Sequence, residues 1–117
     1  MAITWGSRLG ASNLRVGIDI EQSPATLTAS TTQVTLTVRY YADAQYAIND
    51  NQVLTLTGAI TGSVAYTLST TGARLLATRT LTVPVTVGAP NSRYLYAQID
   101  GYYSSGTPSV FVTHTVP

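Results

Sequence analysis

The chain has no cysteine and no lysine, and only one histidine, one tryptophan and one phenylalanine. Without cysteine there is no disulfide and no thiolate metal site. Packed sheets would have to hold by burial alone, which fits assembly in a reducing cytoplasm. Without lysine there is no Schiff base and no lysine-dependent phosphate loop. Charge is also scarce: charged residues are 9% of the chain, against roughly 25% in an average globular protein. A net charge of +1 offers no electrostatic footprint for nucleic acid. No apolar run approaches the ~20 residues that span a membrane. The opening Met1-Ala2-Ile3-Thr4-Trp5 lacks a basic region followed by an apolar one, so no signal peptide is expected. All six basic residues are arginine, consistent with a GC-rich coding sequence.

What the chain does have is a two-residue alternation along most of its length. Leu14, Val16, Ile18 and Ile20 share one parity, with Arg15, Asp19 and Glu21 on the other. Val34, Leu36, Val38 and Tyr40 repeat the pattern, as do Val110, Val112 and Val116. Successive strand side chains point to opposite faces, so each segment has one apolar and one wet face. Threonine takes the place of charge on the wet faces (Thr35, Thr37, Thr55, Thr57, Thr78, Thr80, Thr82, Thr113, Thr115), as suits a β-branched hydrogen-bonding residue. A surface with so little charge repels its own copies weakly, which favours association.

Turn signals divide the alternation into strands at about 13–22, 33–42, 52–57, 63–68, 74–87, 93–99 and 109–116. A short extra strand at 3–6 is expected along an edge. Pro84 cannot donate to a ladder and predicts an edge position or a kink. The Tyr-rich segment 94–100 suggests a strand carrying a buried corner tyrosine. The expectation is one all-β domain over residues 1–117, an immunoglobulin/fibronectin type III-like β-sandwich of about seven antiparallel strands in two sheets.

No constellation declares a chemistry. His114 stands mid-strand, with Ser104, Ser105 and Ser109 as distant serines and no Gly-x-Ser-x-Gly elbow. It reads as a packed or half-exposed strand histidine. Asp19 and Glu21 share a face about 7 Å apart, a glycosidase-like separation, but alternation puts them on the solvated face with Arg15. Asp43, Asn49, Asp50 and Asn51 are oxygen-rich without calcium-loop spacing, and Asn49 to Asn51 reads as a turn. No catalytic residue, metal or cofactor is expected. The adjacent pairs Tyr40-Tyr41 and Tyr102-Tyr103 should each turn one ring inward and one outward. Tyr41, Tyr46, Tyr102 and Tyr103 are the candidate binding residues. Trp5 is expected to plug one end of the core, or else to serve as an interface anchor.

The motifs also have an order. Ile3-Thr4-Trp5-Gly6 is followed by Leu14-Arg15-Val16-Gly17-Ile18-Asp19, then Val38-Arg39-Tyr40-Tyr41. Next come Asn49-Asp50-Asn51-Gln52-Val53-Leu54-Thr55-Leu56-Thr57-Gly58, Gly62-Ser63-Val64, Ala77-Thr78-Arg79-Thr80-Leu81-Thr82-Val83 and Thr113-His114-Thr115-Val116-Pro117. Across nearly the whole chain this set resembles the N-terminal β-sandwich domain of minor tail proteins from tailed phages of actinobacteria. The resemblance implies a virion structural component at or near the tail tip, assembled in the host cytoplasm, with no enzymatic residues. It implies docking on other virion proteins, copies of this chain in a symmetric assembly, and a contribution to host recognition, with a host cell-wall glycan as a further partner. Members of that family often continue past a final Val-Pro into a linker and further domains, whereas this sequence stops at Pro117: it is expected to be either a short member or the part of a larger design that attaches to the tail, with receptor binding then residing elsewhere. A capsid decoration protein and a carbohydrate-binding module using exposed tyrosines are the alternatives.

Overall fold

The computed structural model describes residues 3–10, 13–46, 51–67, 71–86, 88–100 and 107–116. They form eight strands and, among the described residues, no helix: β1 Thr4–Trp5, β2 Arg15–Ser23, β3 Gln33–Ala44, β4 Asn51–Gly58, β5 Gly62–Thr67, β6 Gly72–Pro84, β7 Asn91–Asp100 and β8 Ser109–Val116. All the expected strands are present, and β1 is the anticipated short edge strand. Two antiparallel sheets result, ordered β1-β2-β3-β6 and β5-β4-β7-β8. The chain changes sheet between β3 and β4, between β5 and β6, and between β6 and β7. This crossed connectivity makes a Greek-key β-sandwich, with β1 added at an edge. Pro84 ends β6, an edge strand, where no ladder bond is asked of it.

The core lies where the inward parities of the two sheets meet. Val16 and Ile18 of β2, Val34 to Ala44 by alternation on β3, and Val83 of β6 face Leu54, Leu56, Leu95, Ala97, Ile99, Val110 and Val116. Each fully buried valine, leucine or isoleucine among them is worth about 1.5–3 kcal/mol. Tyr40 is fully buried while Tyr41 turns outward, as expected for neighbours on one strand. Burial pushes the Tyr40 phenol up to about 12, against a smaller opposing influence of Arg79. Gln52 shares the inward parity of Leu54 and is also buried.

Three expectations need correction. Asp19 is not solvated but 4% exposed: β1 pairs along β2 at Ile18, and Arg39 reaches over the carboxylate from β3. Trp5 plugs no core end. Its partner is Gly17, which shares the outward parity of Arg15, so the indole lies on the outer face of the first sheet. The tyrosines of β7 are not buried at a corner either. Leu95, Ala97 and Ile99 take the inward parity, leaving Tyr94 exposed and Tyr96 half-buried outside.

Candidate functional site

Two outer surfaces gather aromatic and polar side chains, one on each sheet. On the second sheet, β7 sends Tyr94, Tyr96, Gln98 and Asp100 outward, and β8 adds Phe111 and Thr113. The register sets Tyr94 beside Thr113 and Tyr96 beside Phe111. Tyr94 and Phe111 are therefore diagonal neighbours, and their rings stack with centroids 5.9 Å apart and planes 24° apart. They are 56% and 60% exposed. Beside them runs a fixed polar chain. Tyr96 Oη donates to Gln98 Oε1 at 3.1 Å, and Gln98 Nε2 donates to Asp100 Oδ1 at 3.0 Å. Thr55 Oγ1 donates to Asp100 Oδ2 at 2.7 Å. Both oxygens of Asp100 thus accept, so the surface is ordered before any partner arrives.

On the first sheet, Gly17 leaves the space that Trp5 fills. A Cβ there would stand 2.6 Å from Trp5 Cε3 and 2.6 Å from Ile3 Cγ2. Tyr41 flanks the indole at 6.3 Å between centroids, and the Arg15 guanidinium sits 4.0 Å over it, a cation–π arrangement. Asp43 accepts from Arg8 at 2.9 Å and from Arg15 at 2.8 Å. Arg39 bridges Asp19 at 3.4 Å and Glu21 at 2.9 Å, and the hydrogen bond to Glu21 is the main reason its pKa is raised. The two carboxylates thus share one guanidinium instead of facing a cleft. In each pair except the one with Glu21 a partly exposed arginine covers a buried carboxylate. The Asp43 pair holds Arg15 where it covers Trp5, and the Arg39 pairs join β3 to β2.

Of the residues singled out by sequence, Trp5 and Tyr41 come together in this first cluster. Tyr46 stands apart, 61% exposed beyond the end of β3. Tyr102 and Tyr103 lie outside the described residues, as do Ser104, Ser105, Asn49, Asp50 and the side chain of Asn51. Asp43, the remaining oxygen donor considered for calcium, is held by two arginines. Among the described residues no three His, Asp or Glu side chains gather in a way that would hold a metal ion. Sequence reasoning overlooked Tyr94 and Phe111. The signal was available, because each alternates with buried neighbours: Leu95 for Tyr94, Val110 for Phe111.

His114 lies on the inward parity of β8. Its Nε2 is 3.0 Å from Gln22 Oε1 on β2, so this pair ties the two sheets. Ser109 is five residues away, about 17 Å along the strand. Burial lowers the His114 pKa. The unfolded chain therefore takes up this proton more readily than the folded one. The resulting contribution to stability is whole above the unfolded value of ~6.5 and is lost as the pH falls from there toward the lower folded value. Urea unfolding on both sides of about pH 6.5 should show this decline, and His114→Gln should reduce it. An unchanged slope in that variant would remove His114 as the cause.

Neither protein-family models, nor curated proteins, nor solved structures match this chain.

Proposed function

We propose that this chain is a structural component of a phage virion, a minor tail protein at or near the tail tip that docks on other virion proteins. The ordered motifs support the tail assignment. The docking role is carried by one observation: Tyr94 and Phe111 stacked and exposed on an ordered, nearly uncharged sheet face. Large amphipathic rings held this way offer contact area with little side-chain entropy left to lose. They are the residue types that dominate protein interfaces when buried at the centre. The Thr55, Gln98 and Asp100 chain would supply a polar margin. On the opposite sheet, Trp5 is half-buried under Arg15 with the half-buried Tyr41 beside it, and the two serve mainly to close the fold.

The double variant Tyr94→Ala, Phe111→Ala tests the docking surface. Its stability should change by no more than about 1 kcal/mol, the scale of an exposed cross-strand pair. Its incorporation into particles should fall about tenfold or more, the effect of losing a central interface anchor. Mass spectrometry and labelled cryo-EM of purified virions read both amount and place. Absence of the wild-type protein from mature particles would end the proposal, and labelling of heads would turn it into capsid decoration.

A second reading has its own support. An aromatic platform beside aligned Thr55, Gln98 and Asp100 also suits a glycan, with the rings under a sugar face and the polar groups at its hydroxyls. Binding of arabinogalactan or peptidoglycan fragments by the isolated chain, abolished by Tyr94→Ala, would favour that reading.

A further inference from the structure

We infer that β8 is a self-pairing edge, through which two copies of this chain join their second sheets antiparallel about a two-fold axis at Thr113. A sheet edge presents unpaired backbone donors and acceptors, and proteins that stay apart blunt such edges. Most edges here are blunted. β6 carries a register irregularity opposite Tyr40/Tyr41, ends in Pro84, and turns Arg74 and Arg79 toward the core-facing side, beside Ala42 and Val38. The Arg74 Nη1 also reaches across to donate to the Thr67 carbonyl at the end of β5, at 3.0 Å. β5 is only six residues long. β1 covers the edge of β2 at Gly17 and Ile18. β8 has none of these devices. Its eight residues include no Asp, Glu, Lys, Arg, proline or glycine, and it pairs with β7 without a register shift.

The phase of the β7–β8 ladder shows which groups are free. Ile99 N–H donates to the Pro108 carbonyl at 2.9 Å. Antiparallel pairs alternate between bonded and non-bonded. Val110, Val112, His114 and Val116 therefore turn their N–H and C=O toward β7. Ser109, Phe111, Thr113 and Thr115 turn theirs outward. Gly6 packs directly on the Ser109 carbonyl oxygen, closing that end. Phe111, Thr113 and Thr115 remain.

These three residues are complementary to themselves. With Thr113 opposite its own copy, Phe111 falls opposite the other copy's Thr115, and the reverse. All three pairs are of the bonded kind, so each exchanges two backbone hydrogen bonds. The strand has no Asp, Glu, Lys or Arg, so no like charges of fixed sign come to face each other. A two-fold arrangement is closed, so it ends at the dimer and does not grow into a fibre. The aromatic face would then run continuously across the seam, because Phe111 stands on the joining strand.

The inference extends the reading of this chain as an assembly module but is tested apart from it, on the purified chain. Sedimentation velocity over a wide concentration range should show a species of twice the 12.4 kDa chain mass. Amide exchange should show protection at Phe111, Thr113 and Thr115 that grows with concentration. Thr113→Lys sets a charge against its own copy on an exposed strand face and should weaken dimerisation by about tenfold or more. Thr57→Lys, on the middle strand β4, should leave it intact. A chain monomeric at all concentrations overturns the inference, and so does a dimer in which those three amides exchange freely or Thr113→Lys has no effect. Either result leaves docking on the tail untouched, whereas absence from virions would leave the dimer untouched.

Discussion

Leu36→Ala should lower the unfolding free energy by about 3 kcal/mol, within the 2–5 kcal/mol range for a buried leucine. Leu36 is fully buried in the first half of β3, flanked in its sheet by β2 and β6 and facing the second sheet. Truncation removes the transfer energy of the lost methyl groups. It also leaves a cavity that neighbours tied into two ladders cannot readily close. For a domain of this size the melting temperature should drop by roughly 12 °C. Leu75→Ala is the matched control. Leu75 is 48% exposed on the edge strand β6, so its loss should cost under about 1 kcal/mol. Urea and thermal unfolding measure both. Equal losses at the two positions would mean that the layers do not meet as described. The comparison also calibrates the particle assay, since Leu36→Ala reduces incorporation by unfolding the chain and Tyr94→Ala, Phe111→Ala would reduce it while folded.

Gly58→Ala should cost about as much, near 3 kcal/mol, for a different reason. Gly58 ends β4 with φ +94°, a conformation that side chains with a Cβ rarely adopt. A Cβ there would also run into the backbone carbonyl oxygen of Tyr94 on β7. Backbone in the middle of a sheet cannot step aside as a flexible side chain would. The Ala59 N–H donates to that same carbonyl at 2.8 Å, so any shift breaks the bond that starts the turn. Gly72→Ala separates the two causes. Gly72 has nearly the same φ, +92°, but nothing within 4 Å of the added atom. It should lose only the backbone term, about 1–2 kcal/mol. If both variants unfold alike, the contact with the Tyr94 carbonyl contributes nothing, and the approach of β4 to β7 at this corner is looser than the structure has it.

The strands were legible because alternation and turn residues are local. The limits of β8 and the start of β3 could be read directly from Val110, Val112 and Val116 and from Val34, Leu36 and Val38. Tyr40 inside and Tyr41 outside followed from parity alone. The placement of Trp5 did not, because nothing near it in sequence says that β1 will lie against Gly17. Asp19 misled for a related reason. Its parity was read as outward, correctly, but an outward residue is wet only if no other strand or side chain covers it, and Arg39 comes from the next strand. The orientation of Tyr94 and of Phe111 was likewise open to parity, but their stacking was not, since it depends on Tyr96 falling opposite Phe111.

By itself, the sequence determined that this protein is built of strands, where most of them run, and which side of each is apolar. Those properties depend on neighbours two residues apart, so short segments suffice to set them. Tertiary structure alone decided which strands share a sheet, which outward faces are covered, and which aromatic rings meet. Pairing joins residues distant along the chain, such as Gly17 with Tyr41 or Tyr94 with Thr113. Its energy comes from hydrogen bonds and burial that exist only once the sheets have formed.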